Sequence, residues 1–354
     1  MTKDEYIWAI GDIHGYSSSL ASLLNRINEL NTKRIVFLGD YIDRGPEPKE
    51  VIDLILDLKT EKIALMGNHE MMFLNCSNAG KSNTKALFEW SQNGYETTLR
   101  SFSVGDAASL GKDIEPKYID FIKSLGIFHI ETIGTKKKNV KLLFCHAGPF
   151  FGLPIDEQLL MKDYSDFSHY IDENKIAHNK SCLWNNDSLL QKNLASLDKY
   201  LLIHGHMRTQ YRHTENKLQY GNQKEDPTTD LSDIPSPLYH AGDSVVASLG
   251  IDTGVDIGGK LTAVGFSKSN TDFAKGKMKI KVIQVDATKK SKNAQIVEFD
   301  LSIPFTNDVS LYQKILKKLF KSDKKKKPVK STTHGHAHSH KKATHGAPKT
   351  PKHQ

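Results

Sequence analysis

The chain is short of the features that mark several protein classes. Among its 354 residues there is no run of 18 apolar ones, so no membrane-spanning helix is expected. Its start, Met1-Thr2-Lys3-Asp4-Glu5, lacks the apolar stretch of a secretory signal. Cysteine is scarce: Cys76, Cys145 and Cys182 are far apart and odd in number, which argues against a disulfide framework and a zinc knuckle. Cys145 lies in an apolar run and reads as a small buried hydrophobe. These absences together point to a reducing, cytoplasmic setting. There is no internal repeat.

Most of the chain also lacks a surplus of either charge. The net charge is +8, but residues 321–354 alone hold ten Lys and one Asp. The remainder carries 39 basic and 40 acidic residues, so the folded part offers no basic face for nucleic acid. The tail is low in complexity and is expected to be disordered. It holds six His, with His334, His336, His338 and His340 at every second position, and a Lys run at 324–327. Such tracts suit metal acquisition or contact with acidic partners. An apolar fraction of 38% fits a globular body with a polar appendage.

Strand-like apolar runs that end in chemistry-bearing residues are what the chain does have. Arg34–Leu38 runs into Gly39-Asp40-Tyr41-Ile42-Asp43-Arg44-Gly45. Tyr6–Ile10 ends in Gly11-Asp12-Ile13-His14-Gly15, Lys62–Met66 in Gly67-Asn68-His69-Glu70, and Val140–Cys145 in His146-Ala147-Gly148. Leu20, Leu23, Leu24, Ile27 and Leu30 recur at helical spacing in Tyr16–Leu30, and Val51, Ile52, Leu54, Ile55 and Leu58 in Glu47–Lys59. The first 70 residues thus read β-α-β-α-β, a parallel arrangement. Parallel strands bring their carboxyl ends to one edge, where open α/β sheets place their sites. Asp, His, Asp, Asn and His would face one cavity there, a mixed oxygen and nitrogen set suited to two metal ions.

The blocks GDIHG, GDYIDRG and GNHE, in this order and followed by His146-Ala147-Gly148 and Gly205-His206, resemble the phosphoprotein phosphatase branch of the calcineurin-like metallophosphoesterases. The likeness extends over about residues 5–270 and is to the prokaryotic and phage-type serine/threonine protein phosphatases. It implies an α/β fold, a metallophosphoesterase β-sandwich with flanking helices and a dinuclear metal site at strand ends. It assigns Asp12, His14 and Asp40 to one ion and Asp40, Asn68, His146 and His206 to the other, with Asp40 bridging. The cofactors would be two divalent metal ions, Mn²⁺ foremost, with Fe or Zn²⁺ also compatible with the donor set. Two ions roughly 4 Å apart would activate a bridging water for in-line attack on phosphorus. The resemblance makes Arg44, Asn68 and His146 the phosphate-binding residues. It makes His69 the general acid, its tautomer set and its protonated form favoured by a hydrogen bond to Asp43.

The implied function is hydrolysis of phosphoserine or phosphothreonine on proteins. Dinucleoside-polyphosphate hydrolysis is the alternative within the fold, and a weakly active metal-binding scaffold is a third reading. The scaffold draws on Cys182-Leu183-Trp184-Asn185-Asn186, where Asn186 stands in place of a second phosphate-binding arginine, a role Arg208 could share. Trp90–Leu99 resembles a segment of the prokaryotic members, and equally reads as a helix end stopped by Gly94. Residues 214–245 read as a long loop and Gln295–Phe299 as a strand. The domains expected are a catalytic domain over 1–300, a short helical extension over 301–320 and the tail.

Overall fold

In the computed structural model the described residues are 4–78, 84–150, 153–177, 180–185, 200–209, 238–242, 245–287 and 295–305. All belong to one unit, Met1–Leu311. In chain order the elements are β1 (Tyr6–Ile10), α1 (Ser17–Asn28), β2 (Thr32–Phe37), α2 (Pro48–Asp57), β3 (Glu61–Ala64) and α3 (Asn68–Asn78). A helical stretch follows: α4 (Thr84–Ser91), α5 (Glu96–Ser101), α6 (Leu110–Asp113) and α7 (Pro116–Lys123). Then come β4 (Phe128–Gly134), β5 (Asn139–Cys145), α8 (Ile155–Gln158), α9 (Tyr164–Glu173), β6 (Tyr200–His204), β7 (Leu238–Gly242) and β8 (Val245–Gly250). β9 (Lys260–Ser267), β10 (Thr271–Asp272), β11 (Lys277–Asp286) and β12 (Ile296–Pro304) complete the described chain.

β1, β2 and β3 pair in parallel, as the β-α-β-α-β reading requires. α1 buries Leu20, Leu23, Leu24 and Ile27, the predicted face, while α2 buries Val51, Ile52 and Ile55. α2 opens on Pro48, whose missing N–H costs nothing at the first helical position. Both helices are shorter by one or two residues at each end than the apolar pattern suggested, as helix ends fray.

The four motif-bearing strands do not share one sheet. The first sheet runs β10-β11-β9-β1-β2-β3, with β12 along β11; the second runs β4-β5-β6-β8-β7. β5 is parallel to β6, and β6 to β8, so the ends of β5, β6 and β8 also point one way. Alternation along each strand explains why the sheets stack. Ile7 and Ala9 of β1 join Leu142 and Phe144 of β5 and Ile203 of β6 in one core between the sheets. Trp8 and Ile10 face the other way, into a second core with α1, α2 and α3. Leu143, Cys145 and Leu202 cover the outer face of the second sheet and pack against Ile155 and Leu159. The architecture is the α/β sandwich with flanking helices that the motifs implied.

Two segment readings change. Residues 214–245 contain β7, whose backbone pairs antiparallel with β8. The prolines before Leu238 masked a hairpin, since they mark where a strand starts as readily as where a loop runs. The strand expected at Gln295–Phe299 continues to Pro304, paired with β11 throughout, so residue 300 falls inside a strand. The rest of the expected extension, 306–320, and the tail lie outside the described residues.

Candidate metal centre

The site is built on unusual backbone. Seven described non-glycine residues have positive φ, and five of them are His14, Asp40, Asp43, Arg44 and His206. That conformation is costly for residues with a Cβ, by about 1–3 kcal/mol each, and clusters at functional sites. Glu70 supports the Asp40 turn. Its buried carboxylate accepts the amides of Asp40 (2.9 Å), Tyr41 (2.8 Å) and Gly67 (3.0 Å). Gly67 is required there because a Cβ would stand 2.0 Å from Asp40 Oδ1. The sequence had shown Glu70 only as the last letter of a motif; its role is a set of contacts reaching some thirty positions back, which local pattern does not display.

The two oxygens of Asp40 face different partners. Oδ2 is 3.5 Å from His14 Nε2 and 3.8 Å from His69 Nε2, while Oδ1 is 3.4 Å from His146 Nε2. Two tight groups result, His14–Asp40–His69 and Asp40–His146–His206, with donor atoms within 4.8 Å of one another. Asn68 Oδ1 joins the second group, 2.9 Å from His146 Nε2 and 3.1 Å from His206 Nδ1. Asp12 lies alongside, its carboxylate accepting the His206 amide at 3.0 Å, and is in neither tight group. The tautomers are set from behind. His14 Nδ1 donates to the Ile42 carbonyl (3.0 Å) and His146 Nδ1 to that of Leu38 (2.9 Å). Both rings therefore turn a bare Nε2 inward, the arrangement metal-binding histidines use.

The charge balance asks for cations. Asp12, Asp40, Asp43, Glu70 and Asp252 are all buried. Burial pushes Asp12 and Asp40 well above the carboxylate range, Asp43 and Glu70 up to about 7, and Asp252 to about 6. Burial also lowers His14 and His206 well below the imidazole range and His146 to about 3, so these rings are neutral and available as donors. One positive group already meets this set: Arg44 Nη1 donates to His14 Nε2 at 2.7 Å. The residues present fit two divalent ions sharing Asp40.

His69 and Asp43 form the expected pair, Nδ1 to Oδ2 at 2.6 Å. The same carboxylate takes Trp90 Nε1 at 2.7 Å and Thr98 Oγ1, and Thr98 Oγ1 in turn meets the Asp43 amide. Trp90–Leu99 is thus the cradle of Asp43 and more than a helix end. Gly94, at φ +84, accepts the Arg44 amide, and a Cβ there would press on Arg44 at 3.0 Å. Burial, aided by the Arg44 charge, lowers His69 well below the imidazole range. Its buried Nε2 has no hydrogen-bond partner among the described residues and faces Asp40.

Asp256 was missed altogether. It accepts Arg44 Nη1 (3.1 Å) and a paired contact from Arg208, with Nε at 2.9 Å. No motif marks it, and Arg44 is 212 positions away. Trp184 sets its ring edge against His206, centroids 5.8 Å apart, so this segment borders the site. Asn186 lies outside the described residues. His204 is buried, its Nδ1 near the Gly205 carbonyl, and belongs to neither tight group.

The family model for calcineurin-like phosphoesterases matches residues 6–257. The chain belongs to that family. Among relatives, it is 30% identical over 155 residues to the asymmetrical bis(5'-nucleosyl)-tetraphosphatase PrpE of Oceanobacillus iheyensis, covering 39% of this chain and 54% of that one. It is 40% identical over 73 residues to a Caenorhabditis elegans protein provisionally named a serine/threonine-protein phosphatase, covering 20% of each. The chain thus spans about half the length of the first relative and a fifth of the second. A solved metallophosphoesterase from Sphaerobacter thermophilus is 14% identical with a TM-score of 0.36, covering 89% of this chain and 94% of that one. Of this calcineurin-like phosphoesterase, no described helix is long and apolar enough to cross a membrane.

Proposed function

We propose that the chain is a metal-dependent phosphoester hydrolase acting on phosphoserine or phosphothreonine in proteins. The carrying observation is Asp40, whose two oxygens address two separate histidine groups at 3.4–3.8 Å. In this reading Asp12, His14 and Asp40 hold one ion, and Asp40, Asn68, His146 and His206 hold the other. Bound there, two divalent ions supply charge neutralisation for phosphoryl oxygens and an activated water.

The chain's own residues do the rest. Arg44 moves its planar fork from His14 to the phosphoryl oxygens, a charge-assisted contact. Asn68 and His146, grouped at the other oxygen of Asp40, complete the phosphate-binding set in this reading. His69 carries the proton for the departing oxygen. Its Nδ1 is fixed by Asp43, so Nε2 is the atom that delivers it. The negative charge of a bound phosphoryl group would raise the proton affinity of His69, offsetting the burial that lowers it in the free site.

The intact Asp43-Arg44 pair, cradled by Trp90 and Thr98, supports a monoester phosphatase. The name of the Oceanobacillus relative supports a second reading, hydrolysis of dinucleoside tetraphosphates. A substrate panel separates them. The proposal expects kcat/KM on phosphoserine and phosphothreonine peptides to exceed that on diadenosine tetraphosphate; the reverse order would establish the second reading.

A further inference from the structure

The near-neutral charge of the body hides a separation of charge along it. The carboxylates of the metal centre gather at the carboxyl ends of β1 and β2. The opposite end of the sandwich is made of turns that carry lysine. Lys136, Lys137 and Lys138 stand in a row between β4 and β5. Lys268, Lys275 and Lys277 lie in and beside the turns that join β9, β10 and β11. β9 is antiparallel to β1, with Ser267 opposite Tyr6, so its exit turn lies where β1 begins. The two sets of turns touch. A Cβ on Gly134 would stand 2.8 Å from the Phe273 ring, and Phe273 packs edge-on against Phe305, centroids 6.1 Å apart. All six lysines are exposed. Among the described residues one of them makes an ion pair, Lys275 with Asp272 at 3.3 Å. Asp4 and Glu5 at the start of β1 temper the charge without matching it. The Phe305 amide donates to the Gly276 carbonyl at 2.7 Å, so the described chain leaves the body at this end, and the sequence beyond it holds the Lys run at 324–327.

Lysine is a compact charge on a flexible stem, suited to a diffuse anionic surface. Single-stranded nucleic acid is held by arginine and by stacking aromatics. These turns hold no arginine, and their one aromatic, Phe273, is already packed. We propose that this end of the molecule docks on an anionic lipid bilayer and turns the metal centre away from it, open to substrate. The probe is full-length protein floated with phosphatidylcholine vesicles containing phosphatidylglycerol, against phosphatidylcholine alone. Binding is expected to the first and not to the second, and it should fall as salt is raised. Lys136→Gln, Lys137→Gln and Lys138→Gln made together should lower the partition coefficient about a hundredfold, the scale set by three lysines at a charged surface. Lys268→Gln with Lys277→Gln should lower it about tenfold or more. In both variants the melting temperature and the turnover of p-nitrophenyl phosphate should stay at wild-type values, because the residues are exposed and lie at the end away from the metal centre. Wild-type partition in both lysine variants would overturn the proposal and assign any vesicle binding to the tail. Binding of a single-stranded RNA homopolymer, with none to the anionic vesicles, would overturn it in favour of nucleic acid.

Discussion

His69 is the side chain on which the proposed chemistry turns. A serine alkoxide is a poor leaving group and needs a proton as the bond to phosphorus breaks. A p-nitrophenolate leaves with little help. General acid catalysis contributes about 10²–10⁴-fold, so His69→Asn should lower kcat by that range on a phosphoserine peptide and clearly less on p-nitrophenyl phosphate. Asp43→Asn should act in the same direction and more mildly, because it reaches the substrate only through the His69 ring. Single-turnover rates on both substrates check this. Equal losses, with metal content intact, would mean that His69 positions the phosphate instead of protonating the leaving group. At this scale most of the site was legible in the sequence. His14, Asp40, Asn68, His69 and His146 sit in glycine-containing turns at strand ends, and those turns announce themselves locally. Asp256 and Glu70 were not legible. Their work consists of contacts to residues distant in the chain, and a buried carboxylate in a turn reads the same whatever it touches.

Elements carry the site by their ends. β1 and β2 deliver Asp12 and Asp40 from one sheet, and β5 and β6 deliver His146 and His206 from the other. The turn between α4 and α5 closes over Asp43 and Arg44 from outside both sheets. Trp90, the last buried aromatic of α4, holds the Asp43 carboxylate. Trp90→Phe keeps most of the packing and removes one N–H. Leaving a buried carboxylate short of a donor costs about 1–3 kcal/mol. Urea denaturation should register a loss of that size, and kcat on phosphopeptide should fall while bound metal stays constant. An unchanged denaturation midpoint would show that Asp43 finds another donor. Apolar spacing located α1, α2 and the parallel strands, because each buries one continuous face. It could not divide the strands between two sheets, since β1 and β5 present the same apolar run whichever sheet they join. β7 escaped for a related reason: three prolines and many polar residues before Leu238 outweigh a five-residue strand in any local reading.

The described residues form a sandwich that gathers buried carboxylates at one edge, where the two cations of the proposed function would offset their charge. In the metal-free protein this has a pH signature. Asp43 and Glu70 have folded-state values of about 7, above the 3.8 and 4.5 of the free side chains. Their folded-state protonation favours folding at low pH, and that advantage is lost as pH rises through about 7. The buried histidines, lowered from 6.5, act oppositely: they favour folding above 6.5 and lose that as pH falls. Below about pH 6.5 the two effects oppose each other; above it only the carboxylates still titrate. The melting temperature of chelator-treated protein should therefore fall between about pH 6.5 and 8, and saturating Mn²⁺ should remove the fall. A melting temperature that rises over this window would contradict the charge balance described. The most direct test of the account concerns Asp40 as the shared residue of two metal sites. Metal ions bound per chain, counted by elemental analysis, should be two in the wild type. In Asp40→Asn the count should drop to one or none, with turnover of p-nitrophenyl phosphate collapsing and the circular dichroism of the fold retained. Two full-occupancy ions and wild-type turnover in that variant would contradict it.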